Sequence, residues 1–240
     1  MYQEIISLVP ETAKTVLAFG DGPGEPSLSL INERPFIKLL VSDPSPDMIK
    51  IAKERFGDRK ADFQVLQDTN LVGVGKFDAI LASLCFMFVD PARLPSVLSD
   101  LGSNLTDQGV IISTHWGDPE NVSGLRISKQ CRANLENLPI DLSDLCGTGP
   151  FSLADSSILR TAYEIAGFEI LIWKEIFVPF YFENVNAHLE FVGLDISARS
   201  MGIMNTLVDE LLESKMIMRG KNGDYTLPNQ AFAAVARKRK

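Results

Sequence analysis

Histidine is almost absent from this 240-residue chain: His115 and His188 are the only two. Cysteine is nearly as scarce, at Cys85, Cys131 and Cys146, and none of the three has metal-ligand spacing. A metal centre is therefore not expected, and an odd cysteine count argues against a disulfide framework. The thiols read as reduced packing residues. No apolar run approaches the roughly twenty residues that carry a helix across a bilayer. The first nine residues lack both the basic segment and the apolar core of a secretory signal, so a cytoplasmic location is expected. Positive charge is also in deficit, with 23 Lys and Arg against 31 Asp and Glu and a net charge of −8. That sign repels phosphate backbones, so nucleic acid is not an expected partner. The basic end Arg237-Lys238-Arg239-Lys240 reads as a solvated tail. Neither an internal repeat nor a low-complexity linker divides the chain, and one domain over residues 1–240 is expected. Oligomeric state is left open, a homodimer included.

What the chain does contain is a glycine turn at the end of an apolar run. Val16-Leu17-Ala18-Phe19 leads into Gly20-Asp21-Gly22-Pro23-Gly24-Glu25-Pro26, with glycines at alternate positions. Glycine is needed where the backbone takes unusual dihedrals or lies against a ligand. The nicotinamide fingerprint G-x-G-x-x-G wants its last glycine where Glu25 stands, so an oxidoreductase of that class finds little support. A second apolar run, Phe36 to Val41, ends in Ser42-Asp43. Asp43 lies about twenty residues past the glycines, where Rossmann-like folds place the acid that binds ribose hydroxyls. A carboxylate suits that duty because it accepts two hydrogen bonds from a vicinal diol. Ser45 can cap the following helix, and Pro46 fits its first turn.

The rest alternates in the same way. Thr15–Gly20, Phe36–Ser42, Asp62–Leu66, Phe77–Ala82 and Gly109–Thr114 read as strands buried on both faces. Glu25–Asn32, Pro46–Phe56 and Pro91–Leu105 read as helices between them. A helix near Ala154–Ala166 and strands Glu169–Val178 and Ala231–Arg237 follow. The fold class is α/β: a doubly wound, mostly parallel sheet with helices on both faces and ligands at the carboxyl ends of its strands. Two long segments, 117–150 and 179–220, interrupt the alternation, the second with a helical run near Met201–Leu212. They are expected to build an acceptor pocket and its lid.

Five stretches together resemble class I S-adenosylmethionine-dependent methyltransferases: Val16–Pro26, Val41–Met48, Gln67-Asp68, Phe77–Ser83 and Leu101–Trp116. Gly22-Pro23-Gly24-Glu25-Pro26, Asp43-x-Ser-Pro-x-Met48 and Gly149–Asp155 are most similar to the branch that contains the ubiquinone/menaquinone-biosynthesis C-methyltransferases. The resemblance implies a seven-stranded sheet whose last strand is antiparallel. It also implies S-adenosylmethionine as cofactor. Gly20, Gly22 and Gly24 would let the backbone approach its methionine and ribose portions. Asp43, with Pro44 beside it, would hold the ribose diol, and Met48 would pack near the adenine. Asp68 matches the family's acid near the adenine amino group, with Thr69 adjoining. Ser83 and Leu84 stand where the family's backbone touches the cofactor.

The chain departs from the family in two places. The family's first strand usually carries an acid two residues before the first glycine, and here that residue is Ala18. Asp21 is a possible substitute, although its side chain is expected to cap the next helix or face solvent. The family's longer helical lead, often with a covering aromatic, is represented only by Met1–Lys14, whose sole aromatic is Tyr2. Three readings stay open: a truncated chain, a more open cofactor site, or closure by another subunit.

The expected reaction is methyl transfer to carbon or oxygen of a small, apolar or aromatic acceptor. Phe86, Met87, Phe88, Trp116, Phe180, Tyr181 and Phe182 follow strands on the ligand side and suit such an acceptor. His115 is the candidate base for proton removal, with Tyr181 as the alternative. The competing expectation is a non-catalytic relative that keeps the fold as a binding or regulatory partner.

Overall fold

The computed structural model describes residues 2–66, 74–136, 149–191, 193–194, 196–214 and 216–239. A short helix α1 (Tyr2–Ile6) precedes strand β1 (Thr15–Phe19). Helix α2 (Ser27–Glu33), β2 (Lys38–Asp43), α3 (Pro46–Phe56) and β3 (Asp62–Val65) follow. Next come β4 (Phe77–Ser83), two 3-10 turns, α4 (Leu94–Ser103) and β5 (Leu105–Trp116). The second half contains α5 (Ser123–Glu136), α6 (Ser156–Ile165) and β6 (Phe168–Phe177). It continues with β7 (Phe180–Phe182), α7 (Val185–Phe191), α8 (Ala198–Glu213), β8 (Tyr225–Leu227) and β9 (Gln230–Lys238).

Seven strands form one sheet in the order β3-β2-β1-β4-β5-β9-β6. The pairs from β3 to β5 are parallel, and β9 runs antiparallel between β5 and β6. This is the sheet expected from the sequence. Alternate side chains along each strand enter different layers, as the two-residue period of a strand requires. Leu17, Ile80 and Ile111 join the core under α4 and α6, whereas Val16, Ala79 and Val110 join the core under α2 and α3. A sheet covered on both faces needs such continuous apolar runs.

Local chemistry sets the helix boundaries. Ser45 caps α3 by accepting from the Met48 amide, with Pro46 in the first turn. Helix α2 starts at Ser27, two residues later than the sequence pattern indicates. The Glu25 carboxylate folds forward onto the Ser29 amide and hydroxyl and serves as an external cap. Phe36, read as strand, sits 95% exposed before β2 because Pro35 and Phe36 form the preceding turn. The basic end is not all tail: Arg237 and Lys238 belong to β9, and the Arg239 amide donates to the Gly167 carbonyl.

The two long segments find each other. Ile127 and Cys131 of α5 pack with Phe182, Leu189, Met204, Leu207 and Tyr225 in a third apolar cluster. Strands β7 and β8 pair within it as a small antiparallel ribbon. Asn229 ties this cluster to the sheet. Its side-chain oxygen accepts from the Gly124 amide at 2.7 Å, and its amide donates to the Val178 and Leu227 carbonyls. Residues 137–148, part of the first long segment, lie outside the described residues.

Candidate active site

A cavity of about 630 Å³ opens at the carboxyl ends of β1, β2 and β4. The loop after β1 forms its floor. Gly20 and Gly22 have φ of 64° and 59°, a left-handed conformation that strains any other residue. A Cβ at Gly20 would collide with the Cys85 sulfur, so the loop and the end of β4 touch. The Asp21 amide donates to the Ser42 carbonyl, and the Gly22 amide donates to Asp43 Oδ2 at 2.9 Å. Asp43 Oδ1 takes the Ser45 amide at 2.9 Å. One carboxylate therefore fixes two loops while still lining the cavity. Each of its oxygens has further acceptor capacity for a ligand.

Pro44, Met48, Leu66 and Val97 add an apolar wall. Ser83, Leu84 and Cys85 close the β4 side. Leu84 has a φ of 50°, held by bonds from its amide to the carbonyl and hydroxyl of Thr114. A non-glycine residue in that region costs on the order of 1–3 kcal/mol, and such strain gathers where a backbone must meet a ligand.

The cavity is acidic. Asp21, Glu25, Asp43 and Asp90 line it, together with Arg93. Of the two roles expected of Asp21, it does not face solvent but turns to the start of the next helix. It is 5% exposed, and its Oδ2 accepts the Ser27 hydroxyl. Burial, reinforced by the Glu25 and Asp43 carboxylates, pushes it up to about 7. Burial and the Asp43 and Asp21 carboxylates push the Cys85 thiol up to about 12. Tyr2 also lines the cavity, beside Glu25 and Asp21. The short lead therefore does place its one aromatic over the site. Arg34 makes this possible by gripping the carbonyls of Ile6, Val9 and Pro10.

The structure brings together Gly20, Asp21, Gly22, Asp43, Pro44, Met48, Ser83 and Leu84 at this cavity. Gly24 lies behind the loop, where a Cβ would press on Phe56 and Ala52 of α3, and it is absent from the cavity lining. Asp68 and Thr69 lie outside the described residues. His115 is not at the cavity. It is fully buried between Trp173 and Phe232, with ring centroids 5.3 and 5.6 Å away, on strand β5 facing α6. Neither ring nitrogen has a partner among the described residues, and burial with the nearby Arg160 cation lowers it to about 4. Tyr181 is 59% exposed on the β7 ribbon, away from the cavity.

Among the acceptor aromatics, only Phe88 lines this cavity. Phe86 and Met87 are core, and Trp116 packs edge-on against Phe180. The described parts of both long segments contribute nothing to the lining. Sequence reasoning missed Cys85, Asp90 and Arg93. Their only signal was position, just after a strand that ends at the ligand side.

Residues 17–111 match the model of a methyltransferase domain. Over 112 residues the chain is 30% identical to a malonyl-[acyl-carrier protein] O-methyltransferase of Paenibacillus sp. (strain JDR-2). That alignment covers 44% of this chain and 40% of the relative, so the chain spans about two fifths of the length of the curated relative it matches. A Bacillus halodurans C-125 structure assigned as a methyltransferase is similar throughout, with a TM-score of 0.64 at 14% identity, covering 100% of this chain and 99% of that one. A SAM-dependent methyltransferase from Methanosarcina mazei gives a TM-score of 0.56 at 14% identity, covering 99% and 98%. At these identities the structural likeness shows the fold.

Proposed function

We propose, from the premise that this chain carries a methyltransferase domain of the class I S-adenosylmethionine-dependent fold, that it transfers a methyl group to a small, apolar or aromatic acceptor at carbon or oxygen. The junction of the Gly22 amide with the Asp43 carboxylate inside the cavity carries this reading. It places a diol acceptor beside a backbone that a ligand can approach closely. The donor set also fits a cationic cofactor, because acids outnumber the one arginine in the lining.

Bound S-adenosylmethionine supplies an already activated sulfonium methyl group. The chain's residues then have mainly to orient and exclude water, which supplies on the order of 7–11 kcal/mol of a barrier. Asp43 holds the ribose. Gly20 and Gly22 admit the backbone to the sugar and methionine end, with Ser83 and Leu84 opposite. Met48, Leu66 and Val97 cover the adenine, and Asp68 and Thr69 are assigned to its edge. Phe88 and Val89 border the space left for the acceptor. No proton-transfer step is assigned to His115 or Tyr181, since neither reaches this space.

The finer assignment, to the C-methyltransferase branch of ubiquinone and menaquinone biosynthesis, draws on Gly22–Pro26, Asp43–Met48 and Gly149–Asp155. The curated relative instead directs attention to a carboxyl oxygen as acceptor. Incubation of a metabolite extract with the protein and deuteromethyl-labelled cofactor decides between them by mass spectrometry. A product heavier by one labelled methyl group supports transfer, and its mass identifies the acceptor class. Absence of any labelled product favours a second reading, a binding protein that keeps the fold. Ala18 favours that reading, since its methyl side chain is wholly buried where the family carries an acid.

A further inference from the structure

We infer that Asp21 supplies the carboxylate for the cofactor's ammonium group, filling the place that Ala18 leaves vacant, and that Ser27 aims it. The inference rests on the cavity being an adenosyl-cofactor site.

Three observations support it. First, Asp21 lies between two left-handed glycines on the cavity floor and lines the cavity while only 5% exposed. Its carboxylate takes the Ser27 hydroxyl on Oδ2 and is also bonded by the Ser27 backbone amide, which hold it at the start of α2 beside the cavity. Second, the groups that face it are acidic or neutral. They are Glu25 from its own loop, Asp43 from the end of β2, Ser27 from α2, Tyr2 from α1 and Cys85 from beyond β4. Arg55, across the loop, is engaged by the Pro23 carbonyl and the Glu25 carboxylate. Third, Asp21 is not the acceptor for the amides that shape the two loops. The Gly22 and Ser45 amides are satisfied by Asp43 and the Asp21 amide by Ser42. A buried carboxyl with acidic neighbours is held well above its ordinary range, and a cation arriving in the cavity relieves that cost.

S-adenosylmethionine brings two positive groups. The sulfonium has no N–H, so the ammonium is the one that can donate a hydrogen bond to a carboxylate. Docking of the ammonium against Asp21 displaces a proton from it near neutral pH. 5′-Methylthioadenosine keeps the adenosine and the thioether but has no ammonium, and it isolates this contact.

Titration calorimetry with both ligands, from pH 5.5 to 7.5, tests the inference. Wild-type affinity for S-adenosylmethionine is expected to rise about tenfold or more over that range, and affinity for methylthioadenosine to stay flat. Asp21→Asn is expected to weaken S-adenosylmethionine at least tenfold at pH 7.5, to abolish the pH slope, and to leave methylthioadenosine within twofold. Ser27→Ala keeps the carboxylate but removes its hydroxyl partner, so the pH midpoint moves upward. Equal loss of both ligands in Asp21→Asn, or no loss of either, overturns the inference and leaves the cofactor site standing. A wild-type protein that binds neither ligand overturns the cofactor reading itself, and this inference with it.

Discussion

The Gly22 amide and the Asp43 carboxylate, 21 residues apart in sequence, meet at 2.9 Å and join the first and second crossovers of the sheet. The same carboxylate receives the Ser45 amide at the start of α3. Asp43→Asn offers one acceptor where two amides need them, and its own NH2 opposes one of those donors. Cofactor affinity is expected to fall tenfold or more, about 1.4 kcal/mol. Calorimetry measures that loss. A melting experiment should show a smaller cost, about 1–2 kcal/mol, from the unpaired amide.

Asp21 carries the opposite balance. Its carboxyl moves from 3.8 to about 7 on folding, so the folded state holds the proton more tightly than the unfolded chain. The resulting penalty is absent below about pH 4, grows as pH rises, and is complete above about 7, where it amounts to roughly 4 kcal/mol. Asp21→Asn is therefore expected to raise the melting temperature of the ligand-free protein by several degrees at pH 8 and to leave it nearly unchanged at pH 4. Weaker cofactor binding with greater stability is the pattern of a residue kept for function.

His115 is expected to be dispensable for turnover. Both ring nitrogens lie buried without partners between Trp173 and Phe232. His115→Phe fills the same space without orphaned polar atoms, so it should raise the melting temperature and leave the methylation rate within twofold. The folded value of about 4 lies below that of the unfolded chain. Stability from neutral His115 is thus present above about pH 6.5 and lost as pH falls toward 4. In the variant, the acid loss over that window should shrink. A hundredfold drop in rate would restore His115 as the base.

Cys85 lines the cavity assigned to a cofactor with an electrophilic methyl group, yet its thiol is held at about 12. The thiolate is the nucleophile, so labelling by iodoacetamide at pH 8 is expected to run roughly a thousandfold slower than for a free thiol. Peptide mass spectrometry after labelling measures this. Rapid modification of Cys85 contradicts the assigned environment.

Asn229 is expected to matter more for stability than for chemistry. Asn229→Ala strands the buried Gly124 amide and the Val178 and Leu227 carbonyls. A loss of about 3 kcal/mol in chemical denaturation follows from buried groups left unmade, with cofactor affinity preserved.

The alternation of strands and helices was legible because each strand is a short apolar run and each loop carries its own punctuation. Gly20, Gly22 and the spacing to Asp43 are local signals that the structure brings to one cavity, and Ser45-Pro46 starts the helix beside it. What lies across space was not legible. Asp21 looks like an ordinary loop acid until Ser27, six residues on, turns back to meet it. Gly24 shares the alternation of its neighbours, but the bulk of Phe56 on another helix gives it a packing duty. His115 ends a strand on the ligand side, yet side chains alternate along β5, and its own falls on the face covered by α6. Nothing in the first fourteen residues signals that Arg34 fastens them down and thereby sets Tyr2 at the cavity. The two long segments pair with each other through an apolar cluster that no local pattern specifies.

The most direct test is a crystal structure of the protein soaked with S-adenosylhomocysteine, the demethylated cofactor. The account predicts the nucleoside in the cavity at the ends of β1, β2 and β4, with both ribose hydroxyls within hydrogen-bond distance of the Asp43 carboxylate. Density for the ligand elsewhere, or a saturating soak that leaves Asp43 facing only the Gly22 and Ser45 amides, contradicts it.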